Sequence, residues 1–247
     1  MGILAIPQKL LDLRVIRKTK VASILEEVYL KKILKEFQID CVFDVGANNG
    51  QYAKMLREKA GYKGTIISFE PIPSAQKILN ELAKKDKNWF IEPIALDKIS
   101  GEASFYVMQS NQFSSLHSPN NDEINIFETL NKVNETIKVK TATLKEMYEK
   151  YQEKLNFKRP FLKMDTQGHD IQIIEGSEPI AKKFVGLQSE LSIKRLYNET
   201  KSFKEVIEYY ISLGFELSAF VPNNAGHFPR LIEIDCIMFN PQLSTVN

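Results

Sequence analysis

The segment Asp44-Val45-Gly46-Ala47-Asn48-Asn49-Gly50 has the residue types of a ligand-binding loop. It ends the apolar run Cys41–Val45 and precedes a helical pattern, which is where an open α/β sheet binds its ligand. Gly46 permits a tight turn, Gly50 allows close packing at the helix start, and free backbone amides there can contact negative charge. Glu70 ends the next apolar run, where a carboxylate can accept hydrogen bonds from both ribose hydroxyls. Together these residues predict a nucleoside-binding site.

The spacing of the glycines indicates which nucleoside cofactor this site prefers. A dinucleotide-binding loop reads G-x-G-x-x-G, whereas this loop reads G-x-x-x-G after a strand-end acid. Asp44 would repel a pyrophosphate but suits a cationic ligand, and S-adenosylmethionine carries a sulfonium and an ammonium without any phosphate. The loop therefore favours S-adenosylmethionine, and an NAD(P)-dependent oxidoreductase is the alternative.

A second cluster follows the apolar run Phe161–Met164 and reads Asp165-Thr166-Gln167-Gly168-His169-Asp170. Methyl transfer from S-adenosylmethionine needs in-line positioning, an acceptor that loses a proton needs a base, and histidine titrates near neutrality. We therefore expect His169 to act as the base and Asp165 to orient the substrate or the base. The alternatives are a solvent-exposed histidine at a helix start and an aspartate that only caps the helix. Asp165 and Asp170 lack a third ligand in the sequence pattern, so no metal is predicted.

Further polar residues are candidates for binding the acceptor. Glu190 ends the strand pattern Val185–Glu190, where its carboxylate can face a substrate, although it could instead pair with Lys194 or Arg195. His117 lies in the polar loop Gln109–Asn121, which could line the acceptor pocket or simply be a surface loop. Gln167 and Asp170 are expected on the substrate side as well.

The elements that must position these residues alternate along the chain. Apolar runs of strand length and helical patterns succeed one another from Asp40 onward, which is typical of βαβ units and a parallel sheet. Ser202-Phe203-Lys204-Glu205 is a capping box that starts a late helix. The runs 215–221 and 231–239 are predicted to form a C-terminal antiparallel hairpin around the loop Pro222–Pro229. We predict one doubly wound, mostly parallel Rossmann-like domain over residues 40–247, preceded by a helical cap over residues 1–39.

Composition limits the classes of function. The chain has 247 residues, 43% hydrophobic and 26% charged, which is typical of a globular protein. Its net charge of +2 is too small to indicate nucleic-acid binding.

Cys41 and Cys236 are far apart in apolar runs, so we expect reduced core thiols and a cytoplasmic location. No apolar run is long enough for a membrane span. The basic stretch Lys9–Lys20 is interpreted as a solvated helix face, and contact with an anionic membrane or substrate is the alternative. The N-terminal helices could form the contact of a homodimer.

Three motifs make the sequence resemble a known family. The segment from Asp44 to Tyr52, Phe69-Glu70-Pro71, and the segment from Phe161 to Asp170 resemble FkbM-type methyltransferases, class I enzymes that use S-adenosylmethionine, over roughly residues 42–240. The resemblance implies that Asp44, Gly46, Asn48 and Gly50 surround the methionine moiety and that Glu70 holds the ribose. It also implies that the segment from Ala95 to Asp97 lies near the adenine, and that the methyl group goes to oxygen.

The acceptor side departs from the family pattern. Many relatives read Asp-x-Glu-Gly-x-Glu in the second motif, whereas Gln167 and Asp170 occupy the third and sixth positions here, and Lys145 replaces another common aspartate. The resemblance implies an S-adenosylmethionine-dependent O-methyltransferase acting on a carbohydrate-like or small natural-product acceptor. A methyltransferase-like binding protein without turnover is a further alternative.

Overall fold

The computed structural model describes residues 21–109, 114–117, 132–194, 200–222 and 231–244. Ten strands lie in these ranges: β1 Cys41–Val45, β2 Thr65–Phe69, β3 Trp89–Glu92, β4 Ala95–Leu96, β5 Gly101–Met108, β6 Val133–Ala142, β7 Pro160–Met164, β8 Gly186–Ser192, β9 Glu216–Pro222 and β10 Glu233–Phe239. The helices are α1 Val21–Glu36, α2 Gln51–Met55, α3 Pro73–Ala83, α4 Leu144–Leu155, α5 Asp170–Glu175, α6 Glu178–Ala181, α7 Phe203–Ser212 and α8 Pro241–Ser244, and a π-helical turn at Leu56–Ala60 continues α2.

Seven strands form the main sheet in the order β3-β2-β1-β7-β8-β10-β9. Strand β10 runs antiparallel to β8 and β9, and the other six strands are parallel. This confirms the mostly parallel α/β sheet and the C-terminal hairpin predicted from the sequence. The chain leaves β1 toward β2 on one side and later returns to β7 on the other. The carboxyl ends of β1, β2 and β7 therefore meet at a topological switch point, where such sheets bind ligands.

The apolar runs form these strands because both faces of the sheet are covered. All five residues of β1 and all five of β7 are buried, which fits parallel strands between two helical layers. Phe43 packs against Phe69, Phe157 and Phe184 on one face. Cys41 and Cys236 are buried free thiols, as predicted.

A second sheet of three strands, in the order β4-β6-β5, is an addition to the predicted architecture. The run from Trp89 to Ala95 has the apolar pattern of a single strand, but β3 ends at Glu92 and Ala95 begins β4 in the second sheet. Pro93 lies at the break, where its missing N–H cannot continue the hydrogen-bonded ladder. As a result, Ala95 and Leu96 lie above the end of the main sheet.

Helix α1 packs against the main sheet rather than lying apart from it. Leu30, Ile33 and Leu34 are buried in one apolar cluster with Phe161 and Ile237. The first 20 residues, including the basic stretch from Lys9 to Lys20, lie outside the described residues.

Helix starts follow local sequence. Ser202 caps α7 through the predicted capping box, and Thr143 with Glu146 forms a second one at α4. Within the described residues, no helix is both long and apolar enough to span a membrane.

Candidate active site

A cavity of about 510 Å³ opens at the carboxyl ends of β1, β2, β7 and β8, next to the start of β10. Its size falls within the range of small-molecule sites. The lining changes along its length. Apolar side chains of β4, β5 and the segment after β2 line one end, whereas acids and amides of β8, β10 and the loop after β7 line the other. Four strand spacings of about 4.8 Å separate β2 from β10, so the two ends lie roughly 19 Å apart.

Glu70 lies on the cavity wall just after β2 and is only 4% exposed. Its two carboxylate oxygens accept backbone hydrogen bonds, Oε2 from Asn48 N at 2.7 Å and Oε1 from Ile72 N at 2.8 Å. Burial raises the pKa of Glu70 to about 7, although these two amides oppose the shift. The amides orient the carboxylate, and each oxygen keeps a lone pair that can accept a ligand hydroxyl.

The two glycines of the first loop have different surroundings. Gly46 has φ +76, and a Cβ there would lie 2.0 Å from the Asp165 carbonyl oxygen, so the two loops approach through backbone. Gly50 has φ +79, but a Cβ there would meet Leu79 and Trp89 at 3.0–3.1 Å. Gly46 lines the cavity, whereas Gly50 packs against side chains behind it. Gly50 thus has the close packing expected at the helix start, and its contact with the methionine moiety stays a prediction.

Asp44 is fully buried beneath the cavity and does not line it. Its Oδ2 accepts a hydrogen bond from Ser68 Oγ at 2.9 Å, and its Oδ1 lies 3.6 Å from Lys163 Nζ. Burial raises the pKa of Asp44, and the ammonium of Lys163 opposes that shift.

Lys163 is a site residue that sequence reasoning did not single out. Its Nζ lies 3.3 Å from Asp165 Oδ2 and 5.2 Å from the centre of the Tyr52 ring. Burial opposes its charge, but Asp165 and Asp44 raise the pKa of Lys163 above its ordinary value, so it is an ammonium. The sequence does contain a signal for this residue, since Lys163 interrupts the apolar pattern of a buried strand. A lysine at such a position indicates a buried charge, which requires partners of opposite charge.

The apolar end of the cavity is formed by side chains from both sheets. Ala95 and Leu96 of β4 lie there with Phe69, Ile72, Phe105 and Leu116. Asp97 was predicted beside the adenine, but it is not among the residues that line the described cavity. The apolar character of this end suits an adenine ring.

The polar end begins at Asp165, directly after β7. The Asp165 side chain is 41% exposed and lines the cavity, with Oδ1 3.3 Å from Gln167 Nε2. Gln167 Nε2 also donates to Glu190 Oε2 at 2.6 Å, and both residues line the cavity. Gln167 has φ +55, a left-handed conformation that is uncommon for a residue with a side chain. Asp165 does not cap α5, because the N-cap residue of that helix is His169.

His169 lies on the cavity wall, but both of its ring nitrogens contact protein groups. Nε2 lies 2.9 Å from Asp97 Oδ1, and Nδ1 lies 3.1 Å from His117 Nε2. Because the carboxylate requires a proton on Nε2, the basic nitrogen of a neutral His169 is Nδ1, which faces His117. Burial lowers the pKa of His117 to about 4, so His117 is neutral at pH 7.

Asp170 is buried and holds the second loop in place. Its Oδ1 accepts from the Thr166 amide and hydroxyl, and its Oδ2 accepts from Ser189 Oγ at 2.6 Å. It does not line the main cavity, so the structure gives this predicted substrate residue an internal role. Much of the polar loop after β5 and nearly all of the loop from Pro222 to Pro229 lie outside the described residues.

A family model described as "Methyltransferase FkbM domain" matches residues 44–217. No curated protein matches the sequence significantly.

Several solved structures are similar to this chain. Methyltransferase FkbM from Methylobacillus flagellatus KT has 12% identity and a TM-score of 0.49, covering 81% of this chain and 43% of that chain. An rRNA methylase from Streptococcus thermophilus has 10% identity and a TM-score of 0.47, covering 92% and 99% of the two chains. Fibrillarin from Aeropyrum pernix, with natively bound S-adenosyl-L-methionine, has 13% identity and a TM-score of 0.47, covering 87% and 74%. This chain spans less than half of the Methylobacillus protein, and TM-scores this low support no conclusion about its acceptor.

Proposed function

The chain belongs to the FkbM methyltransferase family, and from this premise we propose that it methylates a hydroxyl oxygen of a carbohydrate-like or small natural-product acceptor. Its methyl donor is S-adenosylmethionine. The observation that carries the proposal is one continuous cavity that connects Glu70 and the apolar pocket with the exposed carboxylate of Asp165 and the polar end. A cavity of this kind suits a small acceptor, and the proposal includes no nucleic-acid partner.

The residues present fit this cofactor. Glu70 can accept the ribose hydroxyls, and Ala95, Leu96 and Phe105 can enclose the adenine. Asn48 Oδ1 is buried with no hydrogen-bond partner among the described residues, so it can accept a hydrogen bond from the ammonium of the methionine moiety. Lys163 is the one Lys or Arg among the described lining residues, and it is already paired with carboxylates. The described part of the lining therefore offers no unpaired lysine or arginine to a pyrophosphate.

S-adenosylmethionine, when bound, supplies a methyl carbon activated by a sulfonium, and its transfer to a hydroxyl needs in-line alignment and a group that takes the proton. Asp165 lies between the ribose end and the polar end, and its carboxylate is accessible from the cavity. Lys163 and Gln167 each contact one of its oxygens and fix its orientation. In this proposal the Asp165 carboxylate would accept a hydrogen bond from the acceptor hydroxyl and would take its proton.

The assignment of His169 as the base stays a prediction. To accept a proton from the acceptor, its Nδ1 would first have to lose the contact with His117. In the arrangement described here, His169 links Asp97 to the loop after β7 and so positions Asp165 and Gln167.

Transfer of a labelled methyl group to a panel of sugars, amino sugars and polyols tests this proposal. With an acceptor that is methylated, Asp165→Asn should lower kcat by roughly 10²–10⁴-fold, the range of general base catalysis. His169→Asn should lower it less. A larger loss in His169→Asn would return the role of base to His169, and a product methylated on nitrogen or carbon would contradict the proposed chemistry. Cofactor binding without transfer to any acceptor would favour the binding-protein alternative.

A further inference from the structure

Four carboxylates converge at the polar end of the cavity, and we refer to Glu26, Glu190, Glu233 and Asp235 as the acidic wall. Asp235 of β10 is the register partner of Glu190 of β8, and Glu233 lies two residues earlier on the same face of β10. Glu26 reaches the cavity from α1, and all four residues line it. Three separate elements thus bring carboxylates to one place.

The contacts of Glu26 and Asp235 among the described residues are with neutral side-chain amides. Gln188 Nε2 donates to Glu26 Oε1 at 2.8 Å and lies 3.5 Å from Asp235 Oδ2, and Gln167 donates to Glu190. These donors are neutral amides. Lys163 is the one cation among the described lining residues, and its Nζ lies beside Asp44 and Asp165.

Glu233 provides an independent indication of a missing ligand. The residue is only 6% exposed, and its Oε1 is buried with no hydrogen-bond partner in the described part of the chain. Most buried polar groups in proteins are hydrogen-bonded, and an unpaired carboxylate oxygen is among the most costly exceptions. Because Glu233 lies on the cavity wall, a bound molecule can supply the missing donor.

The titration behaviour of the wall agrees with this geometry. Burial raises the pKa of Glu190 and Asp235 far above the ordinary range, with a further contribution from neighbouring carboxylates. Burial, together with Asp165, raises the pKa of Glu233 to about 8. A ligand cation between these groups would favour their charged forms.

We propose that the acidic wall binds a cationic nitrogen of the acceptor, so that the methylated molecule is an amino-substituted polyol or amino alcohol. This proposal rests on the proposed function, because it assigns the polar end to the acceptor. A neutral polyol could accept and donate hydrogen bonds here, but it would not stabilise the charged forms of these buried carboxyl groups as an ammonium does. Two strand spacings, roughly 10 Å, separate β7 from β10, so a compact molecule can reach both Asp165 and the wall.

The test uses two small probes that differ in charge: ethanolamine, which is an ammonium at neutral pH, and ethylene glycol, its neutral counterpart. Each is titrated into the full chain with S-adenosylhomocysteine present, and binding is followed by protein NMR chemical shifts. The double variant Glu233→Gln/Asp235→Asn keeps the shape of the wall and removes two charges. Glu216→Gln, an exposed position on β9, is the matched control.

We expect ethanolamine to bind at millimolar concentration and ethylene glycol to bind at least about tenfold more weakly. The double variant should bind ethanolamine at least about tenfold more weakly than the wild type, and the control should match the wild type. Equal affinity for both probes, no ethanolamine binding, an unchanged affinity in the double variant, or a response to Mg²⁺ alone would overturn the proposal. The affinity for S-adenosylhomocysteine is measured in the same samples. If the wild type does not bind S-adenosylhomocysteine, the proposed function is contradicted. If it binds S-adenosylhomocysteine but binds ethanolamine and ethylene glycol equally, only the proposed role of the acidic wall is overturned.

Discussion

Replacing Lys163 with methionine should expose the cost of the buried charge beneath the cavity. The Lys163 side chain is 7% exposed and Asp44 is fully buried, and their charged atoms lie 3.6 Å apart. Methionine keeps most of the apolar stem but leaves Asp44 with Ser68 as its one hydrogen-bonding side chain among the described residues. Removing one partner of a buried ion pair costs about 3–5 kcal/mol.

The free energy of unfolding should therefore fall by about 3–5 kcal/mol in Lys163→Met, which lowers Tm by roughly 6–20 °C in a domain of this size. Asp165 contributes less to this loss, because its side chain is 41% exposed and water can solvate it. The double variant Asp44→Asn/Lys163→Met removes both charges, so it should recover at least half of the lost stability. Urea unfolding of the wild type and both variants measures these differences.

The loss should also depend on pH. Burial raises the pKa of Asp44 in the folded state, and the loss of Lys163 raises it further. The folded variant then binds a proton more readily than the unfolded chain, so its stability relative to the wild type improves as pH falls and worsens as pH rises. A loss in Lys163→Met of less than about 1 kcal/mol, or equal losses in the single and double variants, would refute this reasoning.

Three other results are expected. Gly46→Ala should lower the free energy of unfolding by about 2–5 kcal/mol and abolish cofactor binding, because its Cβ would overlap the Asp165 carbonyl oxygen. Gly61 also has positive φ, but a Cβ there would meet nothing within 4 Å, so Gly61→Ala should cost only about 1 kcal/mol. Urea unfolding measures both changes. Leu30→Ala should cost about 2–5 kcal/mol if α1 belongs to the core, and a loss below 1 kcal/mol would show a detachable cap. The affinity for S-adenosylhomocysteine, measured by calorimetry, should weaken as pH falls below about 7, because Glu70 loses its charge. The loss should reach up to tenfold per pH unit. Glu70→Gln should show no such pH dependence.

The sequence predicted the sheet well because its strands are short apolar runs with both faces buried. The predicted bounds of β1 match the structure, and the capping box at Ser202 locates the start of α7. The positions of Glu70 and Asp165 follow from the same pattern, because the residue after a parallel strand lies at the ligand-binding edge. These inferences need only local periodicity and one topological rule.

The remaining features depend on contacts between distant residues. The second sheet brings Ala95 and Leu96 over the cavity, and no local pattern reveals that pairing. The contact of His169 with Asp97 joins residues 72 positions apart. The proximity of Glu190 and Asp235 depends on the register between β8 and β10, and the position of Glu26 at the cavity depends on how α1 packs.

Calorimetric titration of the wild type and Glu70→Ala with S-adenosylmethionine, S-adenosylhomocysteine and NAD tests the central claim most directly. The account predicts that both adenosyl compounds bind the wild type, that NAD does not, and that Glu70→Ala binds them at least about tenfold more weakly because the ribose hydroxyls lose their acceptor. Absence of binding by both adenosyl compounds, or binding of NAD alone, would contradict it.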